Sequence, residues 1–473
     1  MLFPSIEFAL FLTVVLVVSW TLASAGQETL RKWFLLFASL SFYAFWSIGF
    51  ALLLVAVSGA AYAVARAGET SNPKVRRTAL WLGVGGALTL LGYFKYYNFA
   101  LANLMNLGVF HLIGLQPMFS ETVVPIAISF FTFHAISYMV DATSGRMAPA
   151  RRLRDVMLYI SFFPHLVAGP IVRAADFLPQ IEAGPKTTAR PYSAALALIV
   201  GGLFKKVVFA NYLSVAIADP VFTAPSQFGG GDILLAVFAY AFQIYFDFSA
   251  YTDIAIGVAA LLGYRFPENF NQPYRSLSPR EFWTRWHISL STWLRDYLYI
   301  PLGGSRNGKL RTIVNLMITM VLGGLWHGAN ITFVIWGTLH GLALVANHLW
   351  AKTRLRSAMS GAWFYKAVCL ALMTAFILAT WVFFRSPDLA TATEIFAGIA
   401  QRFDAPTLLT PFLGALLVVG VITQFMPSGL RVALGGGLMR VPAALQFVGF
   451  AGAMLALLLL APSAAAPFIY FQF

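Results

Sequence analysis

Charge is what this chain is short of: only 11% of its 473 residues are Asp, Glu, Lys or Arg, where a soluble domain carries roughly a quarter. The shortage is deeper on the acidic side, with 18 Asp and Glu against 32 Lys and Arg. A water-soluble core is thereby excluded. Cysteine is nearly missing as well. Cys369 stands alone in an apolar run, which rules out a disulfide framework and a thiolate metal site. There is no Gly-rich phosphate loop, no GxSxG elbow and no Ser-His-Asp order, so a serine-nucleophile mechanism within the chain is unsupported. Internal repeats, low-complexity tracts and soluble domain boundaries are equally lacking.

What is present is apolar sequence: 59% of residues are hydrophobic and the mean hydropathy is +0.75. The runs are too long for transmembrane β-strands of about ten alternating residues. They suit helices, which need ~17–25 apolar residues to cross a bilayer. Such runs lie near 4–24, 33–49, 50–66, 78–94, 121–141, 193–213, 233–262, 312–328, 330–350, 364–384, 410–426 and 443–463. The expectation is an all-α polytopic helix bundle of about 11–13 spans, forming one membrane domain over residues 1–473. Between them, 153–170 contains Pro164 and Gly169-Pro170 and reads as a re-entrant or broken helix.

The net charge of +14 is not a nucleic-acid footprint, because Lys and Arg fall in short clusters between apolar runs. Arg66 to Arg77, Arg146 to Arg154, Arg265 to Arg311 and Lys352 to Arg356 all face the cytoplasm if the N-terminus lies outside. The first 25 residues imitate a signal peptide ending in Ala23-Ser24-Ala25. Glu7 ahead of the apolar run and Arg31-Lys32 behind it fit an uncleaved first span instead. An even span count leaves the C-terminus outside.

Two histidines then stand out. EFWTRWHISLSTWLRDYLYIPLGGSR carries His287, and LGGLWHGANITFVIWGTLHG carries His327. Polar groups in such surroundings cost several kcal/mol unless something satisfies them. His327 ends the 312–328 span, and helical side chains lean back over the preceding turn. Gly323 leaves that turn bare, so a substrate can approach. A neutral imidazole there would take a proton from a hydroxyl; equally, it would hydrogen-bond between helices, with Gly323 allowing close packing. Trp283, Trp286, Leu290, Trp293 and Tyr297 recur at helical steps, predicting an amphipathic interfacial helix with His287 on its flank. Two imidazoles without a third ligand argue against zinc, so no metal is expected.

The remaining polar groups read as structural. His340 repeats the Trp-and-Gly setting; His134, Ser137 and Asp141 form a stripe, and His165 follows Pro164. Gln243, Asp247 and Tyr251 stack at four-residue steps with Asp253 nearby, predicting a buried network that braces the basic segment behind it. Asn269-Phe270 and Pro273-Tyr274-Arg275 form a polar-aromatic connector in that segment.

Five strings, in this order, resemble the membrane-bound O-acyltransferases (MBOAT): SFFPHLVAGPI, FDFSAYTDIAIG, ENFNQPYRS, FWTRWHISLSTWLRDYLYIPLGG and LWHGANITFVIWGTLHG, spanning Ser161 to Gly341. The chain is similar to the bacterial branch that holds the alginate O-acetyltransferase membrane subunit and the teichoic-acid D-alanyl transfer membrane protein. The resemblance implies a signature core over about 125–350, followed by spans over 364–463 and an aromatic tail at 468–473. It implies a bundle around a central funnel, with His327 in the invariant-histidine position and His287 in the second polar position. It further implies cytosolic acetyl-CoA as acyl donor, with no other cofactor, and an extracytoplasmic SGNH-type partner that completes transfer to a polysaccharide within a biosynthesis and export complex. The bacterial inner membrane follows as the location. The CoA phosphates would then suit the basic segment, with Arg275, Arg285, Arg295 and Trp286 as donor-binding candidates. Asp247, Asp253, Asn269 and His340 are assigned to the polar network. The ending Phe468-Ile469-Tyr470-Phe471-Gln472-Phe473 resembles the F-I-Y-x-x-F ending of a small partner in the D-alanylation system, which makes Tyr470 an acyl-relay candidate or, alternatively, an interfacial anchor. The rival readings are a transporter or flippase of an acyl donor or glycan, disfavoured by the missing inverted repeat, and a non-catalytic scaffold.

Overall fold

The computed structural model of the protein describes residues 3–108, 118–121, 123–185, 192–427, 429–430, 433, 441–462 and 467–469. Among the described residues every regular element is helical. Seven helices are long and apolar enough to cross a membrane: Ile6–Ser24, Ile48–Ala67, Tyr192–Thr223, Gly230–Leu261, Gly308–His327, Ile331–Trp350 and Trp363–Arg385. The other expected spans are helices too, but shorter or more polar. Glu28–Ala44 and Ile128–Thr143 have 17 and 16 residues, and Pro73–Leu91 opens on Lys74, Arg76 and Arg77. Pro411–Phe425 and Ala443–Leu460 are apolar and equally short. The chain is an integral membrane protein of polytopic helical type.

Local chemistry sets the helix starts. The Ser5, Ser47 and Asn72 side chains each accept a first-turn backbone N–H, satisfying donors that have no partner within the helix. The helix Leu153–Ser161 stops at Phe162, and one further turn, Phe163–Leu166, carries Pro164. The break falls where the proline predicted it.

The chain divides into two compact units, Met1–Ala195 with Ala255–Pro267, and Leu196–Ile254 with Glu268–Phe473. In the first, Arg31 is wholly buried and donates to Ser19 Oγ, Tyr264 OH and the Leu262 carbonyl. Lys32 is buried beside it and donates to the Glu182 carbonyl. This pair therefore helps to hold the core of the unit together. His134 stacks on His165 at 4.4 Å, His165 Nε2 lies 2.8 Å from the Tyr159 carbonyl, and Asp141 pairs with Arg146. The His134 stripe is thus divided among separate partners inside this unit.

The second unit is built around Gly230–Leu261, whose apolar window is 83% buried, and a close seam between Gly308–His327 and Ile331–Trp350. At that seam a Cβ on Gly324 would sit 2.2 Å from the Phe333 carbonyl oxygen, and one on Gly337 would sit 2.4 Å from the Met320 carbonyl oxygen. Backbones approach this closely only where side chains are missing.

Candidate active site

The segment expected to be one amphipathic helix is broken. Pro279–Trp283 is one short helix, Ile288–Leu294 another, and His287 between them adopts the left-handed conformation at φ 41°. The break has a visible cause. Asn271 N–H donates to the Arg285 carbonyl and Ile288 N–H to the Asn269 carbonyl, so an extended stretch runs alongside and competes with helical pairing. Of the patterned apolar residues Trp286, Leu290 and Trp293 are buried, while Trp283 and Tyr297 are only partly so. A bulky residue in the left-handed region is costly and marks sites where function retains strain.

Asn269 fixes the chemistry of His287. Its Oδ1 accepts from Ser289 N–H at 3.0 Å and from Ser289 Oγ at 2.9 Å, which settles the orientation of the amide. The same oxygen lies 3.2 Å from His287 Nδ1. An amide oxygen only accepts, so Nδ1 carries the hydrogen and Nε2 presents a lone pair. Burial pushes the imidazole down to about 3, which keeps it neutral at physiological pH. Nε2 is buried and has no partner among the described residues. His287 is therefore a prepared acceptor.

His327, the last residue of Gly308–His327, is buried with its ring against Trp326, Trp336 and Phe384 at 5.0–5.1 Å. The indole of Trp326 lies 5.9 Å from His287, so one tryptophan touches both imidazoles. His340 stands beyond Trp336 at 4.5 Å, with both ring nitrogens buried and without a partner among the described residues. Trp283 follows at 5.3 Å from His340, its indole N–H likewise without a partner among the described residues. The line Trp283, His340, Trp336, His327 is thus aromatic, and the polar atoms of its first three rings are unspent among the described residues. Buried polar groups are ordinarily paired, so this line fits a polar chain threading between the rings.

Trp283 also lines a cavity of about 530 Å³ whose mouth carries Arg280, Arg295, His348 and Arg356. Thr319 and Met320 form part of the wall, and His327 lies roughly 12 Å further along the same helix. A second cavity of about 240 Å³, against Tyr274, Phe282 and Met373, has no charged residue in its lining and does not suit an anionic ligand.

The sequence candidates separate accordingly. Arg295 lines the basic cavity while pairing with Asp296 at 2.6 Å, Arg285 pairs with Glu281, and Arg275 donates to Gln272 Oε1. Trp286 is buried among Phe270, Phe282 and Trp381. Asp253 pairs with Lys205 at 2.5 Å, and Asp247 with Lys206 at 2.8 Å. Gln243 donates to Ser214 Oγ. This network therefore ties spanning helices together and does not brace the basic segment. Tyr470 lies outside the described residues. Gly323, expected to bare the turn under His327, would meet only Leu294 Cδ1 at 3.2 Å with a Cβ added; the close helix packing belongs to Gly324. Sequence reasoning missed Arg280 and Arg356 at the cavity and the lysine partners Lys205 and Lys206. A Lys-Lys pair in one apolar run and two aspartates in the next was the available signal.

Residues 152–384 match the membrane-bound O-acyltransferase family. The chain is 41% identical over 385 residues to the probable alginate O-acetylase of Pseudomonas putida, covering 80% of this chain and 76% of that protein. It is 36% identical over 404 residues to the peptidoglycan O-acetyltransferase of Helicobacter pylori, covering 80% and 75%. The teichoic acid D-alanyltransferase of Bacillus subtilis is 28% identical over 240 residues, covering 48% and 60%. With His287, His327 and the basic cavity all inside the matched region, the chain belongs to the membrane-bound O-acyltransferase family and is an O-acyltransferase.

Proposed function

We propose that the protein moves an acetyl group from cytosolic acetyl-CoA toward hydroxyls of an extracytoplasmic, alginate-like polysaccharide, across the bacterial inner membrane. The relatives named for alginate and peptidoglycan O-acetylation support the acetyl group and the glycan. The observation that carries the reading is the continuous aromatic line from a basic-mouthed cavity to His327, with tautomer-fixed His287 one indole away. Arg280, Arg295 and Arg356 receive the CoA phosphates, and the thioester arm runs past Trp283 and His340. His327 takes the proton of the attacking hydroxyl as its oxygen bonds to the thioester carbonyl carbon. The C–S bond then breaks, and the leaving thiolate recovers the proton from the imidazolium. His287 Nε2 receives an amide or hydroxyl hydrogen of the bound substrates and sets their register. Tyr470 is the proposed first acceptor, passing its acyl group to a periplasmic SGNH-type partner in the biosynthesis and export complex. The basic clusters support an N-terminus outside.

Purified protein supplied with partner, glycan and acetyl-CoA should release free CoA and acetylate the polymer; failure to cleave the thioester overturns the reading. The cavity makes a sharper claim. Arg295→Ala combined with Arg356→Ala should raise the KM for acetyl-CoA roughly tenfold, the loss of about 1.4 kcal/mol of phosphate binding. The KM for acetyl-pantetheine, which has no such phosphates, should not move. An equal rise for both donors would exclude the phosphate assignment.

A further inference from the structure

At the described end of the chain Pro467 is exposed, but the two residues after it turn inward and do not sit where an aromatic anchor belongs. Phe468 and Ile469 are both fully buried. The Phe468 ring lies 3.9 Å from that of Tyr251 and 6.2 Å from that of Phe248. Phe248 in turn meets the His287 imidazole edge-on at 4.7 Å. One ring therefore separates this segment from the candidate site.

What holds it there is an ion pair in the middle of the membrane helix Gly230–Leu261. Lys206 Nζ lies 2.8 Å from Asp247 Oδ1, and both side chains are buried. The second carboxylate oxygen, Oδ2, accepts the backbone N–H of Ile469 at 2.9 Å. Lys206 Nζ also donates to the Pro467 carbonyl at 3.4 Å. Each charge thus grips one backbone group of the segment, on either side of Phe468. Two backbone groups taken into this interior need partners, and the pair supplies both. A buried ion pair is weak evidence for stability alone, since apolar residues often serve as well. Its geometry here satisfies a peptide and not only itself.

We infer that Lys206 and Asp247 form a clamp that docks residues 467–469 of the chain against the Gly230–Leu261 helix, one aromatic ring from His287. These are positioning residues: they act on the docked segment and do not touch the reacting atoms. The inference rests on the proposed role of Tyr470 as acyl acceptor, the residue that directly follows that segment in the sequence.

The test separates the two. In a Cys369→Ser background, Ile469→Cys keeps the gripped backbone N–H and reports its own burial. A maleimide should label it at least tenfold more slowly in the folded, detergent-solubilised protein than after unfolding in SDS. Adding Lys206→Met with Asp247→Leu removes both charges together, so neither is left unpaired, and should abolish that protection. The same double variant, with residue 469 native, should still bind acetyl-CoA but lose at least tenfold in both thioester cleavage and polymer acetylation. Lys206→Arg should keep both protection and transfer. Labelling that is equally fast in folded and unfolded protein overturns the clamp, as does full polymer acetylation by the double variant. If Tyr470→Phe transfers normally while Ile469→Cys stays protected, the relay fails and the clamp stands.

Discussion

Replacing His327 by alanine should lower acyl transfer by about 10²–10⁴-fold, the usual contribution of a positioned general base, equivalent to roughly 2.7–5.5 kcal/mol of barrier. The protein should still fold. The imidazole packs against Trp326, Trp336 and Phe384, so alanine leaves a gap among large rings that hold their own contacts. That gap is also the competing explanation for any loss, and His340 is the control for it. His340 is as deeply buried and shares Trp336 as a neighbour, but it stands against Trp283 at the cavity and not against Trp326. His340→Ala should therefore cost less than tenfold. The measurement is polymer acetylation at matched expression, with elution on size exclusion checking the fold. Equal losses at the two positions would assign the effect to packing, and an active His327→Ala protein would remove the proposed base altogether.

Much of this site was legible because its chemistry is local in sequence. His327 stands three residues after the Gly324 contact, and His287 is flanked by tryptophans that must be buried somewhere. What could not be read was set by pairings distant along the chain. The periodicity from Trp283 to Tyr297 predicted one continuous helix, yet Asn269, eighteen residues before His287, captures the Ser289 N–H and hydroxyl. Tertiary hydrogen bonds overrode the local pattern, while Trp286 and Trp293 kept their buried side. The arginines divided for a similar reason. Arg285 has Glu281 one helical turn away and is neutralised locally, whereas Arg280 and Arg356 meet at the cavity from segments far apart in the chain. A charge count alone could not distinguish them.

The polar stripe on Gly230–Leu261 shows the same limit from the other direction. The spacing of Gln243, Asp247 and Tyr251 correctly marked a face that needs polar company. Their partners come from three places: Ser214, Lys206 and the segment at 467–469. Periodicity identifies which residues share a face, and says nothing of what covers it. His287 illustrates how far the covering decides function. Its residue type offered a base, a ligand or a hydrogen-bond donor, and the single oxygen of Asn269 removes the donor role at Nε2 and leaves a lone pair there.

Gly324→Ala should be far more damaging than Gly323→Ala, although the substitutions are identical and adjacent. A methyl on Gly324 would lie 2.2 Å from the Phe333 carbonyl oxygen, with Gly337 N and Cα at 3.1–3.2 Å beyond it. These are backbone atoms of a packed helix and cannot swing aside. The helices must separate, at a cost of about 1–3 kcal/mol or more for overpacking of this kind. Because His327 sits one turn further on, the separation also moves the imidazole relative to His287. Displacement of about 1 Å can cost 10²-fold in rate. The methyl on Gly323 meets only the far end of Leu294 at 3.2 Å, a flexible side chain that can yield by a few tenths of an ångström. Its variant should keep near-native melting behaviour and most of its activity. Thermal unfolding and polymer acetylation of the two proteins, side by side, check both halves. Equal tolerance at the two positions would show that the seam is looser than its carbonyl contact requires. Greater damage at Gly323 would return the role of baring the approach to His327 to that residue.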